Sequence, residues 1–552
     1  MHKRFARLLA VSLLSIVAAL AQPVINVAIS SAVARGPGLP GSGIAQGSIF
    51  SVFGTGLGPA ALAQANSFPL PTNLAGTSLS VTVGSTQVSA IVLVAASYQI
   101  NAILPSVTPV GSGTFTVTYN GQTSAPADIQ VVGSTFGIYT FSEQGSGQAI
   151  ATDVSYNLNT IVHTFHPGDY VILWGTGLGA INGSDAQLPP VGNLPTSVKV
   201  YVGNTTASID YQGRSGCCAG LDQIVFQVPT GVTGCYVPVA VETGGVPGNI
   251  GNFTTIAVSD SGQTCSDSLM GQDLVNQLAA GQTVDFGLIR LESWIAKYIP
   301  GTAGNANEDF GYASFSEFTP ATAGLAQYGV SSGYCAAVDC SYGCGGTVMD
   351  YTANLTDSSP AQLDAGAALS VVGAPPASLP QEQGTGFYYA FLSGSGRYLW
   401  SDLTFPVTGT GGAVVGAFSV NDVTSTPTAA LTGITNSQTI SRSGDLTLQW
   451  TGGDPTLQNG QITIYAQAYN STQFEFLQCT APVTAQQFTI PAWVVAALPI
   501  SGTGTITGTS FTYPQGWIQV GQYNKPTAFT APGLTAGIVT DIFYNGIGVY
   551  FQ

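Results

Sequence analysis

The sequence predicts an all-β protein made of tandem β-sandwich modules with one short helical connector. Apolar and polar residues alternate with a period of two, and Gly, Pro or Asn interrupts the alternation about every eight to twelve residues, as in a sandwich of short strands. Gly (70) and Pro (31) are abundant while charged residues make up only 7% of the chain. Helical repeats and coiled coils are instead rich in Glu, Lys, Arg, Ala and Leu. A block of about 110 residues also occurs twice, which indicates repeated modules.

The length of 552 residues corresponds to three to five domains at about 100 to 200 residues each. The predicted division is a signal peptide at 1–21, a first sandwich module at 22–142, a second at 143–260, a helical connector at 261–281, a third β-rich module at 282–425, and a fourth module at 426–552.

The charge balance excludes nucleic acid as a partner. Lys and Arg number 11 against 27 Asp and Glu, for a net charge of −16, whereas a protein that neutralises phosphates needs clustered Lys and Arg. The polar positions are mostly Ser, Thr, Asn and Gln, which suit hydrogen bonding to a neutral polymer or to copies of the same chain.

The first residues have the form of a cleaved secretory signal. Basic residues precede the apolar run Leu8 to Leu20, and Ala19-Leu20-Ala21 has the small-x-small pattern of a signal-peptidase site. The apolar run is shorter than the roughly 20 residues that a membrane anchor needs, and no later segment of the sequence is long and apolar enough to span a bilayer. We therefore expect an extracellular or cell-surface location.

Export permits disulfides, and the eight cysteines are disulfide candidates: Cys217, Cys218, Cys235, Cys265, Cys335, Cys340, Cys344 and Cys479. Pairing within the first four and within the last four is the economical prediction. A bond between the adjacent Cys217 and Cys218 would be strained, because Cα atoms about 3.8 Å apart are closer than a disulfide prefers. Cys235 and Cys265 are therefore at least as good partners for Cys217 and Cys218 as these two are for each other. The Cys335, Cys340, Cys344 spacing fits no common zinc motif.

Two segments of the first half recur in the same order. Ile49 to Gly58 returns as Tyr170 to Gly179, and Gln99 to Pro105 returns as Gln223 to Pro229. These pairs, with the middle strands predicted at 78–83 and 197–202, indicate two homologous sandwiches. The glycine-rich Gly54-Thr-Gly-Leu-Gly58 is interpreted as a turn, because a dinucleotide fingerprint needs a different glycine spacing and a following helix.

The motifs between Ile44 and Tyr139 resemble a family of secreted proteins expanded in soil Acidobacteria of the Solibacter type. The motifs are Gly-Ser-Ile-Phe-Ser-Val-Phe-Gly-Thr-Gly-Leu-Gly, Leu-Ala-Gly-Thr-Ser-Leu, Tyr-Gln-Ile-Asn-Ala-Ile-Leu-Pro and Tyr-Asn-Gly-Gln-Thr-Ser. The repeating module is similar to immunoglobulin-like IPT/TIG domains. The resemblance covers about residues 23 to 258 and extends more loosely beyond. It implies an exported sandwich protein and supplies no catalytic residues.

In the second half, residues 268–280 form the one good helix candidate, with Ser268 as cap and Gly281 as stop. Asn545-Gly546 predicts a terminal hairpin turn. The strands predicted here are 310–318, 367–372, 387–392, 398–405, 413–420, 446–450 and 461–469.

Three patterns could carry chemistry. Gly329-Val-Ser331-Ser-Gly333 fits a nucleophile elbow, but His163 and His166 both precede it, whereas a hydrolase triad places its His after the Ser. His163, His166 and Asp169 lack a fourth metal ligand and are interpreted as a solvated turn. The acidic residues Glu308, Asp309, Glu317, Asp339 and Asp350 form the densest carboxylate group. They are candidates for glycosidase chemistry, although Glu308-Asp309 reads more simply as a solvated loop.

The six tryptophans are expected to fill cores, with one or two available to stack on sugar rings: Trp174, Trp294, Trp400, Trp450, Trp493 and Trp517.

These observations predict an exported, non-enzymatic binding or adhesion protein whose partners are extracellular polysaccharide or other surface proteins. No catalytic residue, cofactor or metal site is predicted. One alternative is a self-assembling surface component. A second is a carbohydrate-active enzyme that uses the acidic residues of the third module.

Overall fold

The computed structural model describes residues 22–30, 42–266, 269–297, 305–325, 329–339, 360–372, 377–382, 386–392, 404–423, 429–457, 460–505, 510 and 512–552. The predicted signal peptide, Cys340, Cys344, Asp350 and Trp400 lie outside these residues.

The first module is a sandwich of two sheets with strand orders β1-β3-β9-β8-β4 and β2-β12-β10-β6-β5, to which β7 and β11 add at β6 and β10. Its core is formed by alternate residues such as Phe50 and Val52 on one sheet and Phe115 and Val117 on the other. The strands are β1 Val24–Ser30, β2 Ile44–Ala45, β3 Ile49–Thr55, β4 Ala63–Gln64, β5 Asn73–Leu74, β6 Thr77–Val83, β7 Thr86–Ser89, β8 Ile91–Ala95, β9 Gln99–Ile103, β10 Gly111–Tyr119, β11 Gln122–Thr123 and β12 Ala127–Val132.

The second module repeats this plan. One sheet has the order β13-β15-β19-β18 with β14 beside β15, and the other has the order β17-β16-β20-β21. The repeated segments coincide with equivalent strand pairs, since β3 pairs with β9 as β15 pairs with β19. The strands are β13 Gly137–Ile138, β14 Ala151–Thr152, β15 Tyr170–Thr176, β16 Val198–Val202, β17 Thr205–Thr206, β18 Ile209–Arg214, β19 Asp222–Gln227, β20 Gly234–Thr243 and β21 Ile250–Val258.

The boundary predicted at residue 142 falls after the second sandwich has already begun. β13 lies before that boundary and pairs with β15, so residues 137–138 belong to the second module's sheet.

The repeated glycine-rich segment is a turn in both copies. Gly56 has a φ of +65° and Gly177 a φ of +107°, in the region that favours glycine. In the second copy, the backbone N–H groups of Gly177 and Leu178 both donate to the Asp222 carboxylate, at 2.8 Å each. An internal carboxylate therefore takes the donors that a phosphate would need.

The helical connector contains α1, Gly271–Ala279. Met270 rather than Ser268 precedes its first turn, without a side-chain cap, so the helix starts later than predicted. Gly281, with a φ of +84°, follows its end as predicted. Val275 and Leu278 are buried against Phe286 of the following strand.

The second half contains an eleven-stranded sheet of order β24-β35-β34-β39-β41-β22-β23-β25, with β28 beside β23 and β32 and β40 beside β41. Smaller sheets have the orders β27-β26-β29-β30, β31-β33-β36 and β37-β38. The strands are β22 Val284–Lys297, β23 Asn305–Phe318, β24 Tyr334–Asp339, β25 Ala361–Gln362, β26 Ala368–Val371, β27 Ala377–Pro380, β28 Phe387–Phe391, β29 Thr404–Gly409, β30 Phe418–Val423, β31 Ala429–Thr432, β32 Gln438–Ile440, β33 Leu446–Gly452, β34 Gln461–Tyr469, β35 Phe474–Pro482, β36 Gln487–Ile490, β37 Thr503–Thr505, β38 Thr512–Pro514, β39 Gly516–Tyr523, β40 Thr527–Phe529 and β41 Ala536–Phe551. Helical turns occur at Pro320–Leu325, Val483–Ala485 and Ala492–Val495.

This sheet joins the two modules that were predicted to meet at residues 425 and 426. β22 runs parallel to β41 over twelve paired positions, from Phe286 with Ala536 to Lys297 with Ile547. A parallel pair between distant segments leaves no local sequence signal, so two separate sandwiches were expected here.

The predicted hairpin at Asn545-Gly546 is wrong, because both residues lie inside β41. Gly546 pairs with Gln519 of β39 and with Ala296 of β22. A Cβ at this position would lie 2.8 Å from Cβ of Gln519. The glycine therefore permits close strand packing rather than a turn.

Three disulfides are formed among the described residues: Cys217–Cys218, Cys235–Cys265 and Cys335–Cys479. Cys335 and Cys479 are directly opposed on β24 and β35. Of the two pairings left open for Cys217 and Cys218, the structure has the bond between the adjacent residues. Cys235 and Cys265 are bonded to each other, which leaves the adjacent pair to bond across one peptide.

Candidate functional site: an aromatic face on the second module

The outward side of the second module's β18-β19-β15 sheet carries aromatic and amide side chains. Val171 and Leu173 of β15, and Ile224 and Phe226 of β19, point into the core, so the residues between them point outward. We call this surface the aromatic face, formed by Tyr156, Tyr170, Ile172, Trp174, Tyr211, Gln223, Val225 and Gln227.

The strand register places rings beside amides. Trp174 is directly opposite Gln223, and Tyr170 is directly opposite Gln227. Tyr170 and Trp174 are four residues apart on one strand, about 14 Å at the rise of an antiparallel strand. This span accommodates a short chain of linked rings better than a single small molecule.

Trp174 forms the centre of the aromatic face together with Tyr156. Their ring centroids are 6.2 Å apart at an interplanar angle of 35°. The Trp174 indole N–H donates to Oγ1 of Thr152 at 3.1 Å, which fixes the ring on the sheet. Tyr156 is 67% exposed, so its ring is available to a ligand beside that of Trp174.

A turn holds Tyr156 in an unusual backbone conformation. Its φ is +65°, a region that a bulky aromatic residue rarely adopts. Such conformations cluster at ligand-binding sites, because the surrounding structure has to impose them. The turn is imposed by Asp153, whose carboxylate accepts hydrogen bonds from N–H of Ser155 (2.8 Å), N–H of Asn157 (2.9 Å) and the Asn157 amide (2.8 Å).

The Asp153 pKa reflects this turn. Burial raises the pKa, but the hydrogen bonds from Asn157 and Ser155, with a further one from His163, outweigh burial and lower it below the ordinary value of 3.8. The carboxylate is therefore ionised wherever the turn is intact at neutral pH. Nε2 of His163 lies 3.4 Å from the Asp153 carboxylate.

The histidines predicted in a solvated turn make local contacts beside the aromatic face. Nδ1 of His166 lies 3.1 Å from the Asp169 carboxylate, and its Nε2 lies 2.8 Å from the Gly262 carbonyl oxygen. Within the described residues, no three His, Cys, Asp or Glu side chains form a group suited to a metal ion.

The aromatic face combines aromatic rings with amides, and the exposed carboxyl group of Asp210 lies at the β18 bulge beside Tyr211. Rings offer apolar faces of fixed geometry, and amides offer both donors and acceptors. In the described part of the chain, the Gln223 amide makes no hydrogen bond, whereas the Gln227 amide donates to the Gly168 carbonyl oxygen at 2.8 Å. The combination favours a neutral ligand with flat apolar surfaces and hydroxyl groups.

The serine of the elbow-like motif has a structural contact instead. Oγ of Ser331 accepts the backbone N–H of Tyr236 at 2.8 Å, and N–H of Ser331 donates to the Tyr236 carbonyl oxygen at 3.1 Å. The side chain of Asn204 donates to the Gly333 carbonyl oxygen at 2.8 Å. The motif therefore joins the second module to the second half of the chain.

Asp309 and Glu317, the two predicted acidic residues whose side chains the structure describes, lie far apart. Asp309 is fully buried on β23, so the expected solvated loop at 308–309 is wrong. Glu317 lies eight residues further along that strand, about 27 Å away, which is too far for a glycosidase pair. Glu317 is instead directly opposite Asp285 on β22. Burial, with a smaller effect of Glu317, raises the Asp285 pKa. Asp285 had not been predicted, because the pairing joins distant segments.

Among the described tryptophans, Trp450 is in the core as expected. Trp493 stacks on Tyr201 at 4.3 Å and on Phe253 at 5.8 Å, where the last module meets the second. Trp294 contacts Phe310 and Tyr544. Trp174 is the one on the aromatic face. Tyr156 was not predicted as a site residue, because a tyrosine in a loop has no periodic sequence signal. The alternation of Tyr170, Ile172 and Trp174 could have predicted the outward side of β15.

No protein-family model matches the chain, and no curated protein matches it. Domains 5 and 6 of the S-layer protein SbsC are 14% identical, with 44% of this chain and 100% of that chain covered and a TM-score of 0.16. The I-band fragment I67–I69 of titin is 7% identical, with coverages of 72% and 97% and a TM-score of 0.10. SGBP-B from a complex xyloglucan utilization locus in Bacteroides uniformis is 8% identical, with coverages of 96% and 100% and a TM-score of 0.15.

The resemblance to the Solibacter-type family and to IPT/TIG domains stays a prediction. In the described part of the chain, no helix has the length and apolar character needed to cross a membrane. The predicted all-β fold class is confirmed: the described residues form many strands in several sheets, with two tandem sandwich modules in the first half and few helices.

Proposed function

We propose that the protein is an exported, non-enzymatic binding or adhesion protein that holds a neutral polysaccharide on the aromatic face of its second module. The observation that carries this proposal is the exposed Tyr156 ring, held in a left-handed backbone conformation beside Trp174.

The ligand class follows from the chemistry of the aromatic face. A polyanion would need Lys or Arg at the outward positions, and β15 and β19 carry no basic residue; the charged group beside Tyr211 is the exposed carboxyl group of Asp210 on β18. A purely apolar partner would leave the Gln223 amide without a hydrogen bond, which is costly once water is excluded. Sugar rings offer apolar faces for Tyr156 and Trp174 and hydroxyl groups for the amides.

An extracellular location is supported by the predicted signal peptide and by the disulfides. Three disulfides among the described residues suit an oxidising compartment.

The test is co-sedimentation of residues 22–552 with a panel of insoluble neutral polysaccharides. We expect retention by at least one of them, and at least tenfold weaker retention of Trp174→Ala, equivalent to about 1.4 kcal/mol. Tyr98→Ala is the control, because it removes an exposed ring (59%) on the first module and leaves the aromatic face intact. Equal retention of wild type and Trp174→Ala would contradict the proposed site.

One observation favours self-assembly as a second candidate function. In the first module, Ile49 and Ile103 on the corresponding outward side pack against Ala219 of the second module. Tyr170, which is equivalent to Ile49 in the repeat, is 47% exposed, and a second copy of the chain would pack on it as the second module packs on the first. Pelleting without polysaccharide that Trp174→Ala abolishes would favour this candidate.

The other alternative is a carbohydrate-active enzyme. Its two carboxyl groups would be those of Asp285 and Glu317, which lie directly opposite each other on β22 and β23. Release of soluble sugar that is lost in Glu317→Gln would favour it over binding.

A further inference from the structure

The loop between β18 and β19 connects the first two modules. It runs from Ser215 to Leu221 and carries the disulfide between Cys217 and Cys218 at its tip. The loop is closed at its base by the Ser215 N–H, which donates to the Leu221 carbonyl oxygen at 2.9 Å, and the N–H of Leu221 donates to the Cys218 carbonyl oxygen at 3.3 Å.

The loop packs directly on the first module. Ala219 is buried against Ile91 and Ile103. A Cβ on Gly220 would lie 2.6 Å from Cγ1 of Ile49, so the backbone itself contacts the neighbouring strand. The contact therefore depends on the conformation of residues 219 and 220, which immediately follow the disulfide.

A hydroxyl group links the loop to both modules. Oγ1 of Thr176 donates to the Gly220 carbonyl oxygen at 2.7 Å and accepts the N–H of Ile49 at 2.9 Å. If the Gly220 carbonyl group moves, this bridge between the loop and β3 is lost.

The junction between the modules has two further connections that do not involve the loop tip. Arg214, paired with Asp222, donates to the carbonyl oxygens of Gly47 (3.0 Å) and Gly179 (2.7 Å). Ser106 of the first module donates from N–H and Oγ to the Asp185 carboxylate at 2.7 and 2.8 Å. Loss of the loop contact alone would therefore loosen the junction without separating the modules.

Of the three disulfides among the described residues, the one at the loop tip is the most accessible. Both Cys217 and Cys218 are exposed, whereas Cys335 and Cys479 are 2% and 0% exposed, Cys235 is 7% exposed and its partner Cys265 is half-buried. Thiol–disulfide exchange requires an attacking thiolate to reach a sulfur atom, so access selects the bond that reacts. We propose that Cys217–Cys218 is a thiol–disulfide exchange site for an external dithiol, and that its reduction releases residues 219–221 from the first module.

The exchange is a balanced two-electron reaction. One thiolate of the dithiol attacks a sulfur of the pair, the protein S–S bond breaks, and a mixed disulfide forms while the other cysteine leaves as a thiolate and takes up a proton. The second thiol of the reductant then attacks the mixed disulfide. The reductant leaves with an internal disulfide, and Cys217 and Cys218 both end as thiols.

Release follows from the lost restraint. The bond closes a small ring through the peptide between Cys217 and Cys218 and so limits the conformations of the undocked loop. Opening the ring adds conformations to the undocked state only, which shifts the balance away from the docked loop.

The test uses native, folded residues 22–552 treated with graded dithiothreitol, followed by alkylation of free thiols and peptide mass spectrometry. We expect labelling of Cys217 and Cys218 at reductant concentrations that leave the four other bonded cysteines unlabelled. Hydrogen exchange of the amides of 219–221 should rise about tenfold in the same samples, with little change in β34.

Two variants separate the steps. Cys217→Ser with Cys218→Ser should show fast loop exchange that dithiothreitol does not alter. Gly220→Ala should undock the loop with the disulfide intact, because of the contact with Ile49 and a φ of +74°. Labelling of Cys235 and Cys265 as early as Cys217 and Cys218 would overturn the proposed site. Reduction of Cys217–Cys218 without faster exchange at 219–221 would overturn its effect on the junction.

Discussion

At the scale of single residues, Tyr156 and Asp153 decide whether the aromatic face can bind. Tyr156 supplies an exposed ring at the cost of a left-handed backbone conformation. Asp153 holds that conformation through three hydrogen bonds. Tyr156 therefore contacts the ligand in the proposed site, and Asp153 positions Tyr156.

Replacing Tyr156 should weaken binding without weakening the fold. In Tyr156→Asn, the new residue tolerates the left-handed region, so about 1 kcal/mol of backbone strain is relieved and the free energy of unfolding should not fall. Retention by polysaccharide should fall severalfold, since the ring is lost. Urea denaturation and co-sedimentation measure the two effects. Asn120→Tyr, at another left-handed position (φ +47°), should instead lower the free energy of unfolding by about 1 kcal/mol.

The turn at Asp153 should open in acid. Because its pKa is lower in the folded chain than the ordinary 3.8, its stabilising effect is fully present above that value and is lost as pH falls through the folded pKa. Trp174 fluorescence, sensitive to the neighbouring Tyr156, should therefore change below about pH 4 while far-ultraviolet circular dichroism stays constant. Asp153→Asn should show no such transition; an identical transition in that variant would assign it to another carboxyl group.

At the scale of strands, the period-two pattern was a reliable guide. The segment predicted at 461–469 is β34 with the same bounds, and that predicted at 446–450 is extended by two residues in β33. Alternation records which side chains face a core, which is a local property. Asn545-Gly546 gave a wrong prediction because a turn signal is also local. In the structure, β41 pairs with β39 on one side and with β22 on the other, and this pairing keeps the strand continuous.

Adding a single methyl group to β41 tests that interpretation. Gly546→Ala should lower the free energy of unfolding by about 1 to 3 kcal/mol, since its Cβ would be forced against Gln519. Gly444→Ala is the control, because that Cβ would meet no atom within 4 Å, and we expect stability to stay within about 1 kcal/mol or rise. Equal effects of the two changes in urea denaturation would contradict a close approach at Gly546.

At the scale of the whole molecule, the eleven-stranded sheet determines which parts of the chain fold together. β22 and β23 come from the predicted third module, and β34, β39 and β41 come from the predicted fourth. The second half therefore has one shared sheet where two independent sandwiches were expected.

Division of the chain at residue 425 should for this reason fail. Residues 282–425 and 426–552 expressed separately should each lack cooperative unfolding, because each exposes the long strand, β22 or β41, that the other covers. Co-expression should restore a complex in size-exclusion chromatography. Residues 22–266, which hold both repeated sandwiches and the Cys235–Cys265 disulfide, should fold alone. Cooperative thermal unfolding of both separate pieces would contradict the shared sheet.

Fold class, the two homologous modules and most strand positions could be inferred from the amino acids alone. Alternation and turn residues are visible in short segments of sequence, and the repeat is visible when two such segments are compared. The aromatic face, the pairing of β22 with β41, and the bond between Cys217 and Cys218 could not. Each depends on which separate segments meet. Tyr156 contacts Trp174 from a turn, and β22 and β41 pair although about 250 residues separate them. Cys235 bonds to Cys265, so Cys217 and Cys218 bond to each other. Contacts of this kind arise from the balance of packing over the whole chain, which local patterns do not encode.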